Sequence, residues 1–187
     1  MIISINGAAG SGKSTIAKIL SEKLGWPRYY IGDIRRKKAL EKGMTLAEYN
    51  KLGETDPSTD TEVDNYQKEL GEKENNFIIE GRTSWYFIPH SFKIYLDANE
   101  KNAAERILND LKKNLGRNED KSLNTIKDVL KSLKKRKKSD IKRYKKYYNI
   151  DVYDKNNYDF TLDTTNLTIE DVFNKTYRAV KERLTKI

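Results

Sequence analysis

The apolar positions of this chain change period along its length, and the changes mark out strands and helices in alternation. Met1-Ile2-Ile3-Ser4-Ile5-Asn6 is short, mostly apolar and stops at Gly7, the form of a buried strand ending in a turn. Ser14 to Leu24 then sets Ile16, Ala17, Ile19, Leu20 and Leu24 at helical spacing, with Gly25 as the closing C-cap. Tyr29-Tyr30-Ile31 reads as a second short strand, and Gly32 and Asp33 open the next helix. From Thr45 to about Glu74 the spacing is helical but broken at Gly53 and Pro57, with Thr45 and Ser58 placed to cap new helices, which predicts a small helical insertion.

Phe77-Ile78-Ile79 is a continuous apolar run that ends sharply at Glu80-Gly81, as expected of a central parallel strand buried on both faces. Phe92 to Leu96 is the next strand. A helix follows from Ala98 to about Leu111, then a loop containing Gly116, then a long basic helix from about Ser122 to Tyr148, whose length suggests a lid arm. Tyr158 to Asp163 reads as the last strand and Thr168 to Leu184 as a covering helix, capped by Thr168 with Glu170 and Asp171 in its first turn. Strands alternating with helices predict an α/β fold on a parallel sheet.

Length and composition narrow the setting. At 187 residues the chain suits one domain with a substantial core, and 36% hydrophobic against 35% charged residues still leaves enough apolar strand to build it. There are no cysteines, which excludes disulfides, thiolate metal sites and cysteine nucleophiles and makes the cytoplasm the expected compartment. Met1 to Asn6 is too short and too uncharged for a leader, and no later apolar run approaches membrane-spanning length. A formal charge of +9 raises the question of nucleic acid as a ligand. The cations concentrate between Lys112 and Lys146, above all in Lys134 to Lys138, whereas Glu41 to Glu80 is on balance acidic. A solvated helix face accounts for most of that run and nucleotide phosphates for the rest, so nucleic acid is not the expected partner.

The strongest chemical signal is Gly7-Ala8-Ala9-Gly10-Ser11-Gly12-Lys13-Ser14, which fits G-x-x-x-x-G-K-S/T at every fixed position and lies between a predicted strand and a predicted helix. In that context the loop amides from Gly7 to Thr15 point at ATP phosphates, aided by the helix N-terminus. Lys13 bridges the β- and γ-phosphates and Ser14 offers its hydroxyl to Mg²⁺. Glu80, an acid at the end of an apolar strand, is the second candidate for Mg²⁺; the alternative is a local pair with Arg82. Phosphoryl transfer needs charge neutralised and two phosphates held in line. Arg36, Arg82, Arg106, Arg117, Arg136 and Arg143 lie in segments that converge above the strand ends of such a sheet. Arg136 and Arg143 project from one face of the long helix.

These segments together resemble the nucleoside monophosphate kinases, and most of all the archaeal-type cytidylate kinases. The resemblance spans nearly the whole chain. It rests on the P-loop, Gly32-Asp33-Ile34-Arg35-Arg36, Asp56-Pro57 with Asp60 and Asp64, Ile79-Glu80-Gly81-Arg82 with Trp85, Lys93 to Leu96, Arg136 to Tyr144, and Tyr158-Asp159. It implies an adenylate-kinase-like P-loop fold with a five-stranded parallel sheet: core 1–35, 76–111 and 149–187, acceptor-binding insertion 36–75, lid and lid arm 112–148. It implies transfer of the ATP γ-phosphate to CMP or dCMP by a monomer. Arg36 and Arg82 then hold the acceptor phosphate, and Arg136 and Arg143 are lid arginines that fold over the phosphates. The chain departs from the family at Ala103, where an arginine is common, and in the lysine-rich stretch Lys112 to Lys121; Arg117 is the candidate substitute.

Base recognition is open between two readings. Cytosine presents an exocyclic amine that a carboxylate accepts, and Asp60 and Asp64 share one helix face in the insertion; alternatively both face solvent. Asp33 either contacts the acceptor sugar or caps its helix. His90, after Pro89 in a turn, reads as structural, and Tyr144, Tyr147 and Tyr148 as packing of the lid arm. Other readings are a kinase of this fold with another acceptor, such as AMP, UMP, shikimate or dephospho-coenzyme A, an RNA- or DNA-binding P-loop protein, and an ATP-sensing module.

Overall fold

The computed structural model describes residues 1–113 and 123–185. Five strands form one parallel sheet in the order β2-β3-β1-β4-β5. They are β1 (Ile2–Gly7), β2 (Arg28–Tyr30), β3 (Phe77–Glu80), β4 (Phe92–Asp97) and β5 (Phe160–Asp163). A strand buried along its whole length occupies the centre, with β1 paired to β3 through Ile2↔Phe77 and to β4 through Ile3↔Phe92. Its period of two divides the core. Ile3 and Ile5 pack with Ile16 and Leu20 of α1 (Lys13–Leu24) and Val172 and Val180 of α8 (Ile169–Leu184). Ile2 faces the other way, toward Phe77, Ile79 and helices α2 (Ile31–Glu41), α4 (Ser58–Lys73) and α5 (Ser84–Phe87). The two polar residues of β1 are buried and satisfied: Ser4 Oγ meets Ser91 Oγ at 2.8 Å, and Asn6 Nδ2 donates to the carbonyls of Arg82 and Val152.

Element boundaries differ from expectation where tertiary packing or a neighbouring side chain decides them. Arg28 joins β2 opposite Ile78, while Ile31, buried in the second core, already belongs to α2. Thr45 caps α3 (Leu46–Leu52) by a reciprocal box with Glu48. Ser58 does not cap α4: it is the first helical residue, and Asp56 Oδ1 accepts its N–H at 2.9 Å. The long helix α7 is Ile126–Tyr148, set by a box between Thr125 and Asp128, so it starts later than the expected Ser122. Ser122, Gly116 and Arg117 lie outside the described residues. A short 3-10 turn at 155–157 delays the last strand to Phe160. Thr168 caps α8 with Asp171 as the reciprocal partner.

Helix α7 is docked at both halves. Val129, Leu130 and Leu133 pack on Ala104, Ile107 and Leu108 of α6 (Glu100–Lys112). Toward its C-terminus, Ser139 Oγ, Tyr147 Oη and Lys146 Nζ donate to the carbonyls of Asn50, Gly53 and Glu54 at 3.3, 2.9 and 3.1 Å. Gly53 permits this approach, since a Cβ there would lie 2.7 Å from Thr59 Oγ1 and 3.0 Å from Arg143 Cδ. Lys142 also pairs with Glu54 at 2.7 Å, so part of the basic run fastens α7 to the insertion. Among the described residues, no helix is long and apolar enough to cross a membrane.

Candidate active site

A cavity of about 460 Å³ opens above the C-terminal ends of the strands. One wall is the loop from Ala9 to Thr15, and the opposite wall carries Arg35, Arg36, Asp60, Asp64, Glu80 and Arg82. Arg136, Asp140, Arg143 and Tyr144 of α7 close it from above, and Arg106 and Thr164 bound its far end. The cavity therefore joins the phosphate loop to the insertion.

The loop owes its shape to backbone conformations that side chains resist. Gly10 has φ +77, and a Cβ there would lie 2.9 Å from Ala103 Cβ. Ala103 is 2% exposed and packed under the loop, which accounts for a small residue at a position where an arginine was a possibility. Gly12, left-handed at φ 87, is the N-cap of α1. Lys13 Nζ donates to the carbonyls of Gly7 and Ala8 at 3.0 and 2.5 Å, which holds its charge over the loop. Arg106 braces the loop from behind by donating to Gly10 O at 3.3 Å and to Thr164 O at 2.7 Å. Thr164 Oγ1 donates to Ser11 O at 3.1 Å. Ser11 Oγ is buried without a hydrogen bond among the described residues.

Glu80 is fully buried at the end of β3, 3.2 Å from Arg28 Nε. Neither carboxylate oxygen makes a well-formed hydrogen bond. Burial raises its pKa against the lowering pull of the Ser14 hydroxyl, Arg28 and Lys13. The alternative local pair with Arg82 does not form, because Arg82 turns to Asp140, 2.7 Å from Nε, and donates from Nη1 to Gly7 O at 2.9 Å.

Asp140 is one member of a chain of charges. Arg35 Nη1 and Arg143 Nη1 both hold Asp60, Arg143 Nη2 meets Asp140 Oδ1 at 2.8 Å, and Asp140 holds Arg82, which reaches the P-loop carbonyl. Burial alone would raise the Asp140 pKa; Arg82, Arg143 and Arg136 outweigh it and hold it down at about 2. Arg143, expected to fold over the phosphates, is 1% exposed and its guanidinium is spent on these two carboxylates. In this arrangement it is a strut between the insertion and α7. Arg136 shares the cavity wall with it.

Asp60 and Asp64 are 3% and 5% exposed, which overturns the solvent-facing alternative. Asp64 takes the hydroxyl proton donors Tyr148 and Thr83 and the amide of Gln67. Burial, with Asp60 adding repulsion and the hydroxyls opposing, pushes its pKa up to about 6. Arg36 donates to Tyr30 Oη at 2.8 Å and pairs with Asp33 at 3.5 Å. Asp33 lies in the first turn of α2, whose N-cap is Tyr30, and stands outside the cavity wall, so the structure brings it neither to the cap position nor to the cavity. His90 is exposed in its turn, and Trp85 packs 5.6 Å from the Tyr158 ring.

The model of the cytidylate kinase-like family matches residues 2–166. The chain is 34% identical to the cytidylate kinase of Methanosphaera stadtmanae over 98% of this chain and 99% of that one. It is 38% identical to the cytidylate kinase of Methanocaldococcus jannaschii over 93% and 94%. The chain belongs to the cytidylate kinase-like family. Solved structures agree on the fold alone: an uncharacterised protein from Eubacterium ventriosum superposes with TM-score 0.69 at 17% identity over 97% of this chain and 98% of that one. Shikimate kinase from Bacteroides thetaiotaomicron superposes with TM-score 0.60 at 13% identity over 99% and 98%.

For this family member the structure adds Arg35, Asp140 and Thr164 to the residues singled out from sequence. Asp140 left a trace: it is the only acid between Asp128 and Asp151, set four residues after Arg136 and three before Arg143 in a run of cations. Arg35 and Thr164 left none, because their partners lie 25 and 153 residues away.

Proposed function

We propose that this protein transfers the γ-phosphoryl group of ATP to the phosphate of CMP or dCMP, giving the diphosphate and ADP, as a monomer in the cytoplasm. The observation that carries this reading is the single cavity shared by the phosphate loop and the arginine- and carboxylate-lined insertion. A hydrolase needs only the loop; a transferase needs a second phosphate held opposite it.

In this reading the amides from Gly7 to Thr15 and the Lys13 ammonium hold the ATP phosphates. Arg36 and Arg82 hold the acceptor phosphate, and Arg136 neutralises charge on the transferring group. Arg82 is fixed from two sides, by Asp140 and Gly7 O, so it presents its charge without paying reorganisation at the moment of transfer. Glu80 and Ser14 would hold a Mg²⁺ ion, because a buried carboxylate without well-formed hydrogen bonds among the described residues, beside a serine hydroxyl, is an oxygen donor set that suits a hard cation. The ion, when bound, neutralises the terminal phosphates of ATP.

The test is release of ADP from ATP with CMP, dCMP, UMP, AMP and shikimate as acceptors. CMP and dCMP should give kcat/KM at least about 100-fold above AMP. Equal turnover with AMP or shikimate would transfer the protein to another acceptor class.

A further inference from the structure

Asp60 and Asp64 both face the cavity from α4, yet their surroundings differ in kind. Asp60 is saturated by cations: Arg143 Nη1 lies 2.9 Å from each of its oxygens, and Arg35 takes Oδ1 as well. Among the described residues, the hydrogen-bond donors to Asp64 are all neutral. Its Oδ1 accepts from Gln67 Nε2 at 3.1 Å and Thr83 Oγ1 at 3.2 Å, and its Oδ2 accepts from Tyr148 Oη. A carboxylate offers about four lone-pair sites, so these three bonds leave one acceptor position, on Oδ2.

The donors around Asp64 cannot easily reverse. Gln67 is fully buried and its Oε1 is taken by Ser84 Oγ at 2.6 Å, which fixes its amide nitrogen toward Asp64 and Thr83. Thr83 accepts from Gln67 at 3.2 Å and so donates its own proton to Asp64. The cavity thus holds an acceptor whose polarity is set by its neighbours and whose hydrogen-bond donors among the described residues are all neutral.

We infer that Asp64 discriminates the acceptor base: its Oδ2 accepts the exocyclic amine of cytosine and repels the carbonyl that uracil carries at the same place. This rests on the proposed CMP kinase activity. Cytosine offers a donor there and uracil an acceptor, so the wrong base meets lone pair against lone pair in a buried site. Asp60 takes no part in base choice and serves as the anchor of Arg35 and Arg143.

The test compares kcat/KM for CMP, UMP and AMP in wild type and Asp64→Asn. In the variant the amide oxygen stays with the donors Gln67 and Thr83, so the amide nitrogen replaces Oδ2 and faces the base as a donor. The CMP to UMP ratio should fall by about 100-fold or more. A ratio within about threefold of wild type overturns the inference, whether or not both activities fall together. Wild type that uses neither CMP nor UMP better than AMP overturns instead the activity on which it rests.

If Asp64→Asn does not fold, the wild-type ratio is read against pH. The groups facing Asp64 are Asp60 on its own helix, Arg35 on α2, Thr83 before α5 and Tyr148 on α7. Near pH 5, one unit below its value of about 6, about a tenth of Asp64 remains ionised, so the CMP to UMP ratio should drop about tenfold from its value near pH 8. The acceptor phosphate titrates alike in both substrates and cancels from the ratio. A pH-independent ratio would overturn the assignment.

Discussion

The two ends of the cavity are built on opposite plans. The phosphate loop uses consecutive residues, Gly7 to Thr15, and offers backbone amides and one lysine folded over its own loop. The acceptor end uses side chains brought together from α2, α4, α7 and the loop after β3, in which Asp60 and Arg143 meet across 83 positions of sequence. A local site needs only local conformation. The long-range site needs α7 to dock, and its buried charges hold only while every partner is present, since a lone buried ion costs several kcal/mol.

The sharpest way to break this contrast is at Lys13. Lys13→Ala should lower kcat by about 1,000-fold or more while the melting temperature stays near wild type, because its hydrogen bonds to the carbonyls of Gly7 and Ala8 lie within its own loop. A variant that loses activity only by unfolding would erase the difference between the two ends. Arg143→Met should do the reverse. It strips the shared cation from Asp60 and Asp140, and urea unfolding should show a loss of about 3 kcal/mol, accompanied by a raised KM for CMP. Unchanged stability would mean the ion chain is ornament.

Asp64 offers a finer probe. Its folded pKa of about 6 lies above the ordinary carboxylate value, so its ionised form costs stability. The cost is absent below about pH 4, grows as pH rises toward 6 and is complete above it, reaching about 3 kcal/mol. Asp64→Asn carries no such cost. The difference in melting temperature, variant minus wild type, should therefore be more positive near pH 7.5 than near pH 4.5, and a difference that is flat or inverted with pH would contradict the burial account. The smallest effect is expected at Glu80: Glu80→Gln should raise the Mg²⁺ concentration for half-maximal rate about tenfold, with kcat recovered at saturating metal. An unchanged Mg²⁺ requirement would remove Glu80 from the metal site.

The same contrast explains what could be read from sequence. The P-loop was legible because its chemistry lies in contiguous spacing between a strand and a helix. The burial of β1 was legible because Ile2, Ile3 and Ile5 put apolar side chains on both of its faces, whereas its place at the centre of the strand order was not. The ion chain was not, since spacing does not say which arginine meets which aspartate. From spacing alone Asp140 is one more charge on a solvated helix and Arg143 a lid arginine, whereas the docking of Ser139 and Tyr147 on the insertion buries that face. Asp60 and Asp64 share one helix face, as their spacing of four implies, but only the cations around Asp60 separate their surroundings.

The central claim is that both ends act on one phosphoryl group, and the destination of that group tests it most directly. With ATP labelled in its γ-phosphate and CMP present, the label should appear in CDP in step with ADP, with little inorganic phosphate. Label released as inorganic phosphate at a rate indifferent to CMP would contradict the account, leaving a phosphate loop without a transfer partner.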